Sequence, residues 1–138
     1  MKRTSRSQAL PVRGSVAQER RARILALIEA LPEATVVAFG DHLSLEVRRK
    51  RFGWYLDNHH GDGRLALNCK APPGTNKTLA AAAPDKFHVP KYVGHRGWVG
   101  LWLDQPKINW QEVESVLMNA YLATAPKKLI LKLGIERE

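Results

Sequence analysis

Two groups of cationic residues in the C-terminal half of the sequence have the composition of an anion-binding site. In the first group, Lys127 and Lys128 directly follow Pro126, a residue favoured at the first position of a helix. Cations are disfavoured at a helix N-terminus, which is positively polarised and exposes free backbone N–H groups. A bound phosphate would relieve this repulsion, so we predict an anion site there. The alternative is two solvated lysines beside a carboxylate elsewhere in the fold.

The second group is the polar segment that follows Pro90 and ends at Gly97. Its side chains that could contact an anion are Lys91, Tyr92, His95 and Arg96. Charged donors on a glycine-containing backbone suit phosphate contact, because they combine charge-assisted hydrogen bonds with room for close approach. The alternative is a tight loop whose tyrosine and histidine pack on the domain.

A third basic cluster is the uninterrupted run Arg48, Arg49, Lys50 and Arg51. The run lies at a predicted β-turn, where strand geometry directs successive side chains to opposite faces. It would therefore form a basic ridge that contacts backbone phosphates without sequence preference. A solvated turn is the alternative.

Aromatic residues provide the remaining binding candidates. Trp98, Gly100 and Trp102 alternate along a predicted strand and share one face, so two indoles flank a slot that a base or another flat ligand could enter. Tryptophans in a sheet more often pack in the core. We favour that interpretation for these two, for Trp54 and for Trp110.

Motifs for catalysis or metal binding are absent from the sequence. There is no Gly-x-Ser-x-Gly elbow, no Walker loop and no His–Glu pair at metalloprotease spacing. His59 and His60 with Cys69 are too irregular for a structural zinc site. Cys69 alternates with Leu65 and Leu67, which predicts a buried, unreactive thiol. We expect a protein that is not an enzyme and has no cofactor or metal.

The charge balance indicates an acidic partner. The 138 residues include 22 Lys and Arg against 13 Asp and Glu, a net charge of +9. Nucleic acid is the commonest partner of such a surface, DNA more than RNA, although acidic lipid or protein would satisfy the same physics. A single cysteine, the lack of a secretory signal and the lack of a long apolar run predict a cytoplasmic protein that does not span a membrane.

The elements that must position these residues form one domain over residues 15–138, after a flexible basic tail over residues 1–14. Apolar spacing predicts a first helix that ends before Pro32. Alternating residues then predict four antiparallel strands between Thr35 and Cys69. A short helix after Thr75, a strand over residues 97–104, a helix after Asn109 and a last helix from Pro126 complete the chain.

Two segments of the sequence resemble the MmcQ/YjbR family of small bacterial proteins. The first is FHVPKYVGHRGWV, over residues 87–99, and the second is APKKL, over residues 125–129, after an amphipathic helix that ends in Tyr121. The likeness extends from about Ser15 to Leu133. It implies a two-layer α+β fold, an antiparallel sheet of about five strands with helices packed on one face. Members of this family often carry the label DNA-binding.

We therefore expect a non-catalytic nucleic-acid-binding protein that contacts mainly the phosphate backbone, with little sequence specificity. One alternative is a pocket protein for a small anionic ligand or an acidic peptide, and another is an adaptor or chaperone-like interaction domain. Salt dependence separates the first two, because polyanion binding weakens steeply as salt rises. The sequence leaves open the oligomeric state, and whether the 91–97 loop and the helix start at 126 meet in space.

Overall fold

The computed structural model describes residues 14–134. The predicted basic tail lies outside the described residues, except for Gly14. In chain order the elements are α1 (Gly14–Glu29), β1 (Ala34–Phe39), β2 (His42–Val47), β3 (Lys50–Asp57), β4 (Leu65–Cys69), α2 (Thr75–Ala82), β5 (Phe87–His88), β6 (Val99–Trp102), α3 (Trp110–Leu122) and α4 (Lys127–Leu131). No helix among them is long and apolar enough to cross a membrane.

Local signals account for several of these boundaries. The side chain of Asn109 caps α3, since its Oδ1 accepts hydrogen bonds from the backbone N–H groups of Gln111 and Glu112 at 3.1 and 3.2 Å. Between β2 and β3, Arg48 and Arg49 both have positive φ, 51° and 68°. This is the two-residue hairpin turn whose twist matches that of its strands. The predicted β-turn within the basic run is therefore present.

The strands form a single antiparallel sheet in the order β1-β2-β3-β4-β6-β5. The α+β class and the antiparallel pairing are as predicted, but the sheet has six strands rather than about five. The additional strand, β5, consists only of Phe87 and His88 and pairs with β6 at the edge of the sheet. Two residues are too few to produce an alternating pattern, so this strand had no signal in the sequence.

The helices bury one face of the sheet. Ile24 and Ile28 of α1, Leu117 and Tyr121 of α3 and Leu129 of α4 belong to the same apolar cluster as the inward-facing strand residues. The strand residues in this cluster include Leu43, Leu45, Tyr55, Leu65, Leu67, Cys69, Val99 and Leu101. Cys69 is fully buried, and this burial raises the pKa of its thiol, as expected for an unreactive cysteine. The opposite face of the sheet carries the candidate site.

Candidate functional site

A row of five residues crosses the open face of the sheet from β2 to β5. Strand register pairs Ser44 with Trp54, Trp54 with Asn68, Asn68 with Gly100, and Gly100 with His88. Directly paired residues point to the same face, and their Cβ atoms are roughly 5 Å apart. Side chains from four strands therefore form one continuous surface.

His88 lies across the glycine in this row. A Cβ atom on Gly100 would be only 2.2 Å from His88 Nε2, so the imidazole occupies the volume that any other side chain at position 100 would need. The ring stacks on Trp102, with 3.9 Å between centroids and 19° between planes. The slot predicted between Trp98 and Trp102 is thus filled by the protein's own His88. Trp98 itself is buried, in keeping with the interpretation that we favoured.

An ion pair supports this stack from the other side. The Arg64 guanidinium lies 3.7 Å from the Trp102 ring centroid, so it must cover the indole face that His88 does not. Arg64 Nε and Nη2 donate to the Asp104 carboxylate at 2.6 and 2.9 Å, and the carboxylate also accepts from the Leu65 backbone N–H at 3.1 Å. Asp104 is only 3% exposed, so this buried carboxylate fixes the position of the Arg64 guanidinium.

Two polar atoms at the floor of the open face have no hydrogen-bond partner within residues 14–134. They are Asn68 Oδ1 and His88 Nδ1, and both are buried. Desolvation and, second, the positive charge of Arg64 lower the pKa of His88 to about 4, so the imidazole is neutral at neutral pH. A buried polar atom without a partner destabilises a fold by about 1–3 kcal/mol. Two such atoms close together require an explanation, and a bound ligand or water would provide one.

A groove of about 710 Å³ on the open face, which we call the histidine groove, is lined in part by Asn68, His88 and Trp102. Its walls include four of the five histidines of the chain, His42, His59, His60 and His88. The volume lies within the range of about 300–1,000 Å³ that is typical of small-molecule sites. Trp54 and Leu56 of β3 contribute apolar surface to the same walls.

The rim of the histidine groove combines the 59–60 turn with the predicted 91–97 loop. The Tyr92 ring is 6.1 Å from that of His59 and 5.2 Å from that of His60, yet Tyr92 remains 59% exposed. Desolvation and then the neighbouring charges of His60 and His42 lower the pKa of His59. Within the described part of the chain, no group of three or more His, Cys, Asp or Glu residues is placed to hold a metal ion.

The loop that carries Tyr92 is anchored from α2. The buried Asn76 donates from Nδ2 to the backbone oxygens of Gly94 and Trp98, at 3.0 and 2.9 Å. Arg96 ends a single 3₁₀ turn in this loop and is exposed. A buried amide with two backbone partners holds the loop in place, and with it both Tyr92 and Arg96.

Beside the histidine groove lies a cleft of about 310 Å³ in which four cations meet, and we call it the basic cleft. Its charged lining consists of Lys50, Arg51, Lys70 and Arg96, without an acidic residue. Trp54 and Val93 line both depressions, so the cleft adjoins the groove at these two residues. Three of these cations were predicted as site residues from separate segments, whereas Lys70 was missed because a lone lysine at a strand end has no distinguishing pattern.

Arg51 of the basic cleft contacts Trp54, which also lines the histidine groove. Its Nε donates to Ser44 Oγ at 2.7 Å, and its guanidinium lies 4.3 Å from the Trp54 ring centroid. The geometry is that of a cation–π pair. Trp54 was expected in the core, but it is only partly buried and lies on the open face.

Lys91, another predicted site residue, also lines the histidine groove. The remaining predicted site residues lie elsewhere. Arg48 pairs with Glu33, while Arg49 and His95 are exposed. Lys127 and Lys128 are exposed on α4, whose five residues provide only a short helix dipole.

Lys128 also has a carboxylate close by. The Arg48 hydrogen bond, with further help from the charges of Lys132 and Lys128, lowers the pKa of Glu33. Neither Lys127 nor Lys128 lines the histidine groove or the basic cleft. The 91–97 loop and the helix start at 126 therefore do not share either depression.

Two arginines of α1 contact other parts of the domain. Arg20 donates to the backbone oxygens of Leu103 and Gln105 at 2.8 and 2.6 Å, and Arg23 covers the Trp110 ring at 4.6 Å. Helix α1 therefore does not offer these two side chains as a free basic row.

Comparisons with known proteins agree with this fold. A family model described as YjbR matches residues 29–123, more than two thirds of the chain. The crystal structure of a Deinococcus radiodurans protein with a DUF419 domain is similar, with a TM-score of 0.64 and 18% sequence identity. The alignment covers 84% of this chain and 88% of that one. At this identity the likeness concerns the fold alone. No curated protein matches the chain.

Proposed function

The chain belongs to the YjbR family, and we propose that it binds single-stranded nucleic acid, without catalysis, across the open face of its sheet. The observation that carries the proposal is that the basic cleft adjoins the histidine groove at Trp54. A cationic track beside aromatic side chains is the arrangement by which single strands are bound: phosphates contact the cations and unpaired bases stack on the rings.

The basic cleft accounts for the phosphate contacts. Among the described residues, the side chains of Lys50 and Arg96 make no hydrogen bond or ion pair, so both are available to a ligand. With a net charge of +9 on the whole chain, long-range attraction would bring a polyanion to this surface. We expect DNA and RNA strands to compete for the cleft, with DNA the first to be tested.

The rim of the groove accounts for the base contacts. Tyr92 is exposed beside His60, and stacking a base on an aromatic ring contributes about 1–3 kcal/mol. Bases paired in a duplex present only their edges in the grooves and cannot reach such a ring. We therefore favour single strands over duplex as the ligand.

The test compares two double variants that remove the same charge. Lys50→Ala/Arg96→Ala removes two cations from the basic cleft, and the matched control Lys127→Ala/Lys128→Ala removes two from α4. Fluorescence anisotropy would measure affinity for a labelled single strand of about 12 nucleotides and for its duplex, over a range of salt concentrations. The change in net charge is identical, so any difference between the variants reports position.

We expect the cleft variant to lose affinity for the single strand and to reduce the salt slope by about 0.7 for each phosphate contact removed. The α4 variant should stay close to wild type. Equal losses in both variants would indicate a nonspecific charge effect and would overturn the proposal. A loss confined to the α4 variant would return the anion site to Lys127 and Lys128.

A pocket protein for a small anion is the second candidate, and the volume of the histidine groove favours it. Such a protein would show weak single-strand binding at physiological salt. It would instead show saturable thermal stabilisation by one phosphorylated compound, with little salt dependence.

A further inference from the structure

Asn68 is a polar residue at the centre of a largely apolar floor. It lies between Trp54 and Gly100 on the open face and lines the histidine groove together with Leu56 and Ala66. Only 8% of Asn68 is exposed, and its Oδ1 has no partner among the described residues. A leucine would fill this position without an unpaired polar atom, so packing alone does not explain the amide.

Asn68 lines the histidine groove, although its Oδ1 atom is itself covered in this structure. Beside Asn68, the His88 imidazole lies over Gly100 and stacks on Trp102. His88 Nδ1 is the second unpaired atom of the floor. A flat group that entered the groove and uncovered these two atoms would meet an amide and an imidazole nitrogen at its edge.

The chemistry of an asparagine amide limits what that group can be. The amide offers one acceptor and one donor side by side, and the edge of a nucleobase presents the complementary pair. Bases differ in the order of donor and acceptor along that edge, so in any one orientation the amide matches some bases and opposes others. Phosphate contacts in the basic cleft carry no such information.

From this arrangement we infer that the floor of the histidine groove reads the identity of one base, and that Asn68 is the residue that determines the preference. The inference rests on the proposed function and refines it, because it adds base selectivity to a binding mode that depends mainly on phosphates. Asn68 acts by direct contact with the base, while Tyr92 supplies stacking that every base can use.

The experiment measures selectivity separately from affinity. Short thymidine oligonucleotides, unmodified or with their central residues replaced by A, C or G, would be titrated against wild type, Asn68→Leu and Tyr92→Ala. For wild type we expect the best and worst of the four to differ by about tenfold, the equivalent of one matched edge. In Asn68→Leu this ratio should fall towards one with an unchanged salt slope. In Tyr92→Ala all four affinities should fall together.

Stability provides a readout that separates recognition from a structural role. Since Asn68 Oδ1 has no partner, Asn68→Leu should leave the unfolding temperature unchanged or raise it. Equal affinities for the four oligonucleotides in wild type, with salt-dependent binding intact, would overturn this inference and leave the proposed function standing. A drop in the unfolding temperature of Asn68→Leu would mean that the amide is structural. Absence of single-strand binding would overturn both.

Discussion

The close approach of His88 to Gly100 leads to a prediction with a calculable sign. Replacing Gly100 by alanine puts a methyl group 2.2 Å from His88 Nε2, a separation that non-bonded atoms do not tolerate. The φ of Gly100 is not positive, so an alanine is allowed by the backbone itself. The imidazole must therefore move, and it can move only by leaving the Trp102 ring.

The loss of free energy of unfolding in Gly100→Ala follows from the contacts that the His88 ring loses. Overpacking a filled site destabilises a fold by about 1–3 kcal/mol, and breaking an aromatic stack contributes about 0.5–1.5 kcal/mol of that range. In a His88→Ala background the space is empty, and Gly100→Ala should instead stabilise the fold by about 0.4–1 kcal/mol, because it restricts the unfolded chain. The coupling between the two substitutions should therefore be about 1.4–4 kcal/mol.

Urea denaturation followed by tryptophan fluorescence would measure the four proteins of this double-mutant cycle. Working at pH 8 keeps His88 neutral in the folded and unfolded states, so that the cycle reports packing alone. If Gly100→Ala has the same effect in both backgrounds, within about 0.5 kcal/mol, the two residues are independent and our description of the groove floor is wrong.

Further predictions concern the groups around the floor and on α1. Folding lowers the pKa of His88 from 6.5 to about 4. Between these pH values the unfolded chain therefore binds a proton at His88 and the folded protein does not. The stability contribution is fully present above pH 6.5 and is lost as pH falls towards 4. Because His88 keeps partial contact with solvent, we expect a moderate effect. In urea denaturation, the free energy of unfolding should fall between pH 6.5 and 4 by about 1–2 kcal/mol more for wild type than for His88→Phe. Asp104→Ala leaves the Arg64 guanidinium unpaired, so we expect destabilisation of about 2–3 kcal/mol; a value near zero would contradict the supporting role of this pair. By contrast, Glu33→Gln breaks the exposed pair with Arg48 and should leave the urea midpoint unchanged within error.

Sequence patterns of short range predicted the elements well. The cap at Asn109, the turn at Arg48 and Arg49, and the alternating strands depend on residues within a few positions of one another, so the local chemistry is sufficient. The burial of Cys69 followed from the same alternation. The α+β class followed because these elements must bury their apolar sides together.

The candidate site was predicted only in part. Lys50, Arg51 and Arg96 were named as anion contacts, but from separate clusters, and their meeting with Lys70 in one cleft was not foreseen. The importance of Asn68 was not foreseen either, because a single asparagine in a strand has no motif. Its significance comes from an unpaired oxygen, which is a property of its surroundings.

By itself, then, the sequence determined the identity and order of the elements, the turn chemistry and the excess of positive charge, since each depends on composition or on neighbours along the chain. Only the tertiary structure decided that a two-residue strand brings His88 over Gly100, that one sheet face stays open, and that the basic cleft joins the histidine groove at Trp54. The physical reason is that strand register is set by burying apolar surface between segments that are distant in sequence. No local pattern carries that information.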